Sequence, residues 1–132
     1  MVRAGGDAAQ ETQVRGLTQP PPPATQGGMP DPLDTLEATI RERLNGDPAS
    51  SYVARLGSKG TAHIAQKLGE EATETVIAAL TAPDTLTSEA ADLVFHLLVL
   101  LAERGLSLDD VRAELVRREG VSGIVEKAGR AD

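Results

Sequence analysis

Glu89-Ala90-Ala91-Asp92-Leu93-Val94-Phe95-His96-Leu97-Leu98-Val99-Leu100-Leu101 is one of the most apolar stretches of this chain, yet two acids stand at its head. At about 100° per residue, Glu89, Asp92 and His96 fall on one narrow stripe of a helix whose remaining surface is almost entirely apolar. An acid on a packed apolar helix is costly unless something compensates it, so this stripe has to face water, a cation or a partner. Upstream, Glu71-Ala72-Thr73-Glu74 repeats the i,i+3 acid spacing. Pro83 separates the two segments by a short connection, which makes their helices antiparallel neighbours able to bring both pairs together. Four such carboxylates are hard oxygen ligands suited to Mg2+ or Mn2+, and the pattern points to phosphate chemistry.

Helical patterning extends outward from this core. Leu33, Leu36, Ile40 and Leu44 share one face of a first helix that Asn45-Gly46-Asp47-Pro48 ends. Residues 50–56 predict a short helix, and Gly57-Ser58-Lys59-Gly60 a loop with glycines around a lysine. A long helix is expected from Thr61 to Leu80, and a second from about Asp84 to Arg104, stopped by Gly105. Ser107 caps a further helix over Leu108–Arg118, with Asp109 and Asp110 in its favourable first turn. No segment alternates as a strand does, so the fold class read here is all-α, an antiparallel helical bundle. Residues 1–32 hold Pro20-Pro21-Pro22-Pro23 and almost no large apolar side chains, so they read as a disordered extension; Met29, just before the folded part, offers an alternative start. The bundle domain is assigned to 33–119, and 120–132 to a loosely docked tail.

Composition narrows the function classes. The chain has 132 residues and a net charge of −7, which argues against non-specific nucleic-acid binding, since phosphate backbones favour basic surfaces. A nucleotide substrate remains compatible, because bound metal offsets local carboxylate charge. There is no cysteine, hence no disulfide, zinc-thiolate site or thiol nucleophile. Residues 1–32 lack a signal-like apolar core, and the run from Ala90 to Ala102 reads as too short and interrupted to span a bilayer. A soluble, cytoplasmic protein is expected, with no membrane partner.

On the first long helix, Lys67, Glu70, Glu71 and Glu74 fall on one side, and Leu68, Ala72, Val76 and Leu80 towards the other. That wheel suits a metal-binding face and an ordinary solvated face equally well; the second acid pair tips the balance. Lys59 and Lys67 are candidate point charges for substrate phosphate, and Arg55 a bidentate one, although Lys67 also has Glu70 and Glu71 within a turn for ion pairing. His96, four residues after Asp92, is expected behind the ligands and not among them, because Mg2+ prefers oxygen. Tyr52 and Phe95 read as packing groups.

Tyr52 to Asp132 resembles the phosphoribosyl-ATP pyrophosphatase family. The resemblance rests on residues 51–56 (Ser-Tyr-Val-Ala-Arg-Leu), Lys59-Gly60, residues 64–74 (Ile-Ala-Gln-Lys-Leu-Gly-Glu-Glu-Ala-Thr-Glu), residues 89–101 and Gly105-Leu106-Ser107-Leu108-Asp109-Asp110-Val111. Residues 122–128 are similar to the tail of many members, and the family's order holds over 33–119. The resemblance implies an all-α nucleoside-triphosphate pyrophosphatase fold, shared with MazG-like proteins and dimeric dUTPases, and assembled as a homodimer. It implies Mg2+ held by Glu71, Glu74, Glu89 and Asp92, with Glu70 helping to orient the water or a ligand. The implied reaction opens the α–β anhydride of phosphoribosyl-ATP to give phosphoribosyl-AMP and pyrophosphate, the second step of histidine biosynthesis. The next enzyme, a cyclohydrolase fused to some members, would here be a separate polypeptide. Two departures stand out: His63 where members often carry Lys or Arg, and Phe95 where Tyr is common. The alternatives are a MazG-like enzyme acting on other nucleotides, and a non-catalytic helical interaction module with an acidic face.

Overall fold

The computed structural model describes residues 29–120. Every regular element among them is helical: α1 (Pro32–Arg43), α2 (Tyr52–Lys59), α3 (Thr61–Thr81), α4 (Leu86–Glu103) and α5 (Leu108–Arg118), with a 3-10 turn at Pro83–Thr85 between α3 and α4. The extension expected at 1–32 and the tail expected at 120–132 fall almost wholly outside the described residues.

Local chemistry sets the boundaries. The Ser51 hydroxyl accepts from the Ala54 amide at 3.2 Å and caps α2. Ser107 and Asp110 form a reciprocal capping box at the start of α5. The break between α2 and α3 takes a single residue, Gly60, whose φ of 93° is open to glycine and strained for other residues. Gly57 and Ser58, expected in a loop, are instead helical, and α2 runs on through Lys59. The reason lies at Gly57: a Cβ there would stand 2.5 Å from the Leu44 carbonyl oxygen, so this glycine lets α2 close onto the end of α1. Its role is close approach, not flexibility.

α3 and α4 form a helical hairpin with the most extensive packing of any pair, and α1, α2 and the 3-10 turn also pack on α4. The core consists of Ile40, Val53, Leu56, Ile64, Leu98 and Val99, with Leu36, Leu44, Val94, Phe95 and Leu101 packed around it. α5 is held to α1 by polar contacts. The Glu37 carboxylate accepts from the Leu108 amide at 2.6 Å, and Arg112 pairs with Asp34 at 2.9 Å. Pro83–Glu103 is long and apolar enough, by length and composition, to cross a bilayer, which the shorter run in the sequence did not suggest. Its packing against α1, α2, α3 and the 3-10 turn, with two acids in its first turns, makes it the central helix of a bundle.

One side of α3 departs from expectation. Its buried residues are Ile64, Glu71 and Ala78, one every seven positions, while Val76, Ile77 and Leu80 are 58%, 53% and 78% exposed. The helix turns a carboxylate inward and leaves large apolar side chains outside. A charge pattern read on a wheel identifies two faces without saying which one finds a partner within the chain.

The contact at Gly57 predicts that Gly57→Ala lowers unfolding free energy by about 1–3 kcal/mol, because backbone must give way. Gly69, helical and with nothing within 4 Å of an added Cβ, predicts the reverse: Gly69→Ala raises it by up to about 1 kcal/mol. Urea denaturation of the two variants measures both.

Candidate active site

Three of the four acids meet at the seam of the α3–α4 hairpin. One carboxylate oxygen from each of Glu71, Glu74 and Glu89 lies within 4.8 Å of the other two; Glu71 is buried, Glu89 half-buried and Glu74 exposed. Asp92 is exposed and stands outside this threefold group, though its charge still reaches Glu71. Burial raises the Glu71 pKa above the ordinary carboxylate value, and a hydrogen bond with Glu74 and the charges of Glu74 and Asp92 raise it further, with His96 opposing. Three acidic groups converging on so small a volume repel one another when ionised. A hard divalent cation is the partner that such an all-oxygen donor set fits, and a cation would hold all three in their charged form.

Behind the acids, His96 is only 5% exposed. Its Nδ1 lies 2.8 Å from the Asp92 backbone carbonyl, not from the Asp92 carboxylate, and its Nε2 lies 3.1 Å from the Tyr52 hydroxyl. A carbonyl can only accept, so Nδ1 carries the proton, and in the neutral ring the Tyr52 hydroxyl donates to Nε2. Tyr52 stacks on Phe95 at a centroid separation of 6.0 Å, and Phe95 meets His96 edge-on at 5.0 Å. The chain's only two aromatic side chains of the Phe/Tyr/Trp class and its one buried histidine thus join the start of α2 to α4 beside the acids. Tyr52 is therefore more than a packing group; its hydroxyl links two helices, which no local sequence signal announced.

The candidate phosphate ligands are distributed differently. Lys67 pairs with Glu70 at 2.9 Å, and Gln66 also donates to Glu70 at 3.3 Å. The hydrogen bond and charge of Glu70 raise the Lys67 pKa, with the charges of Tyr52 and Glu71 adding to it. Hydrogen bonds from Lys67 and Gln66 in turn lower the Glu70 pKa. Arg55 is exposed, and its Nε donates to the Pro48 carbonyl at 3.4 Å. Lys59 ends α2, exposed. Neither Arg55 nor Lys59 bonds to the acid group among the described residues. The sequence also gave no notice of Thr75, half-buried, whose hydroxyl lies 2.7 Å from the Glu71 carbonyl and 3.2 Å from the Glu89 carbonyl.

A helical hairpin with acids gathered at its seam, inside an all-α bundle, is the arrangement expected of the all-α nucleoside-triphosphate pyrophosphatases. Comparison with known proteins bears this out. Residues 33–119 match the family model described as phosphoribosyl-ATP pyrophosphohydrolase, and the chain belongs to that family, a member of this superfamily. Among curated proteins it is 66% identical to the phosphoribosyl-ATP pyrophosphatase of Erythrobacter litoralis (strain HTCC2594), over 76% of this chain and 97% of that protein. It is 60% identical to the proteins of the same name from Novosphingobium aromaticivorans, over 76% of this chain and 94% of that one, and Rhizorhabdus wittichii, over 77% and 97%.

The raised pKa of Glu71 has a definite sign. The native state holds this proton more tightly than the unfolded chain does, so the stabilisation is full at low pH and is lost as pH rises from the ordinary carboxylate range through the native value. Without divalent cations, Glu71→Gln should therefore melt at a higher temperature than the wild type near neutral pH, with a flatter dependence on pH. Saturating Mg2+ should reverse the order by stabilising the wild type alone. Thermal melts across pH, with and without Mg2+, check both halves.

Proposed function

We propose that this protein catalyses hydrolysis of phosphoribosyl-ATP to phosphoribosyl-AMP and pyrophosphate, the second step of histidine biosynthesis. The observation that carries this reading is the convergence of Glu71, Glu74 and Glu89 on one small volume, in a chain of this family. Glu71, Glu74 and Glu89, with Asp92 at the rim, would hold Mg2+, for which Mn2+ could substitute. Bound there, the ion would offset the charge of the phosphate oxygens and lower the pKa of a coordinated water.

The remaining work falls to the chain's own side chains. Water adds across the α–β anhydride: one new P–O bond forms and the anhydride P–O bond breaks, releasing pyrophosphate. Lys67, beside the acids and fully charged, supplies a positive group to the triphosphate. Glu70 is kept ionised by Lys67 and Gln66, which suits it to orient the attacking water through a hydrogen bond more than to keep the proton it gives up. Arg55 and Lys59, on exposed turns of α2, would meet the outlying phosphates. His96 does not touch the substrate; it anchors Asp92's turn of helix to Tyr52.

The enzyme would act in the cytoplasm as a homodimer, joined through the apolar side of α3 that carries Val76, Ile77 and Leu80. A separate phosphoribosyl-AMP cyclohydrolase would consume its product.

Pyrophosphate release with Mg2+ tests the assignment, comparing phosphoribosyl-ATP with ATP and a panel of deoxynucleoside triphosphates. The expected result is a strong preference for phosphoribosyl-ATP, with kcat/KM falling at least a hundredfold in Glu71→Gln and Asp92→Asn. Preference for a deoxynucleotide would move the protein to the MazG-like branch. Release from none of them would leave an interaction module.

A further inference from the structure

Four threonines among the described residues donate back to the carbonyl four positions earlier: Thr39, Thr73, Thr75 and Thr81. Thr75 alone of the four also reaches a second helix. Its Oγ1 lies 2.7 Å from the Glu71 carbonyl of α3 and 3.2 Å from the Glu89 carbonyl of α4. These are the backbone oxygens of two of the three residues whose carboxylates converge at the seam. One hydroxyl thus lies within hydrogen-bond reach of both helices at the level of the acids.

We propose that Thr75 is a positioning residue for the metal-binding carboxylates, a hydroxyl strut that keeps Glu71 and Glu74 of α3 within reach of Glu89 of α4. The inference rests on the metal-dependent reading above. Its physical basis is the mutual repulsion of the acids: without a cation, ionised carboxylates push the seam apart, and the bonds that oppose this must lie close to it. Among the described residues the Thr75 hydroxyl makes the only hydrogen bond between α3 and α4 at that level. The bond joins backbone to side chain near the helix axes, so the strut acts on the helices and leaves the carboxylates free to turn towards a ligand. Groups that orient metal ligands from behind commonly change affinity by tenfold or more when removed.

The strut is tested by titrating the metal-free protein with Mn2+, following binding by the loss of the free-ion electron paramagnetic resonance signal. Thr75→Val, which keeps the shape and removes the hydroxyl, should raise the Mn2+ dissociation constant about tenfold. Thr75→Ala, which leaves more room, should do the same, and Thr75→Ser, which restores the hydroxyl, should stay within twofold of wild type. The Mg2+ concentration giving half-maximal activity should move in parallel, while KM for the nucleotide at saturating Mg2+ stays unchanged. Wild-type affinity in folded Thr75→Val and Thr75→Ala overturns the proposal, even if both melt at lower temperature. A serine variant as weak as the valine overturns it too. Glu71→Gln is the companion control: if it abolishes binding while the Thr75 variants bind normally, the metal site stands and only the strut falls. A wild type that shows no saturable Mn2+ binding removes both.

Discussion

Glu71 occupies a position where the bundle would be served better by leucine. It lies between Ile64 and Ala78 on the buried stripe of α3, beside Glu74 of its own helix and facing Glu89 across the hairpin seam. Burial and like charge both disfavour its ionised form, so the most extensive helix pairing in the molecule is built around an electrostatic conflict. The core that tolerates this lies elsewhere. Ile40, Val53, Leu56, Ile64, Leu98 and Val99 gather α1, α2, the start of α3 and the later turns of α4 into a cluster that contains none of the acids. The apolar cluster supplies the packing that lets the seam carry a repelling donor set, which a cation would relieve.

The helices themselves were written plainly in the chain. Ser107 announces a helix start, Asn45 to Pro48 and Gly105 announce stops, and α5 begins and ends at its expected residues, whereas the cap at Ser51 was not read from the chain. Gly57 misled because a glycine within a short glycine-lysine-glycine segment has the composition of a loop. Its actual reason for being glycine is the Leu44 carbonyl from another helix, and no local rule can register a long-range contact. The outward turn of Val76, Ile77 and Leu80 was hidden for a related reason. Periodicity sorts residues by kind, whereas burial depends on which neighbour arrives, and here the neighbour meets the acidic side.

Within the site, legibility followed the range of the interaction. Acids spaced i,i+3 share a face whatever the tertiary structure, so Glu71 with Glu74 and Glu89 with Asp92 could be paired from the chain alone. Which of the four converge most closely depends on how the hairpin is rotated, and the rotation leaves Asp92 at the rim. His96, expected behind the acids, is bonded to a backbone carbonyl and to the hydroxyl of Tyr52, 44 positions away, partners that no local pattern names. Thr75 had no signature at all: threonine in a helix commonly bonds its own preceding turn, and only the packed hairpin reveals the second acceptor.

The placement of the cations separates the chemistry from the choice of substrate. The acids at the seam would address, through a metal ion, the phosphate oxygens that every nucleoside triphosphate offers alike. Groups that tell one nucleotide from another would have to stand at some distance from that volume, and α2 would be the element to carry them. Its start is tied to α4 through Tyr52 and His96, its exposed turns present Arg55 and Lys59, and Gly60 joins it to α3 without slack. An element fixed at both ends to the acid-bearing hairpin would hold its cations at set distances from the acids. Selectivity would then be a matter of reach: a substrate is favoured when its own phosphates span from the seam to α2, and the acids need not change for that span to differ between relatives.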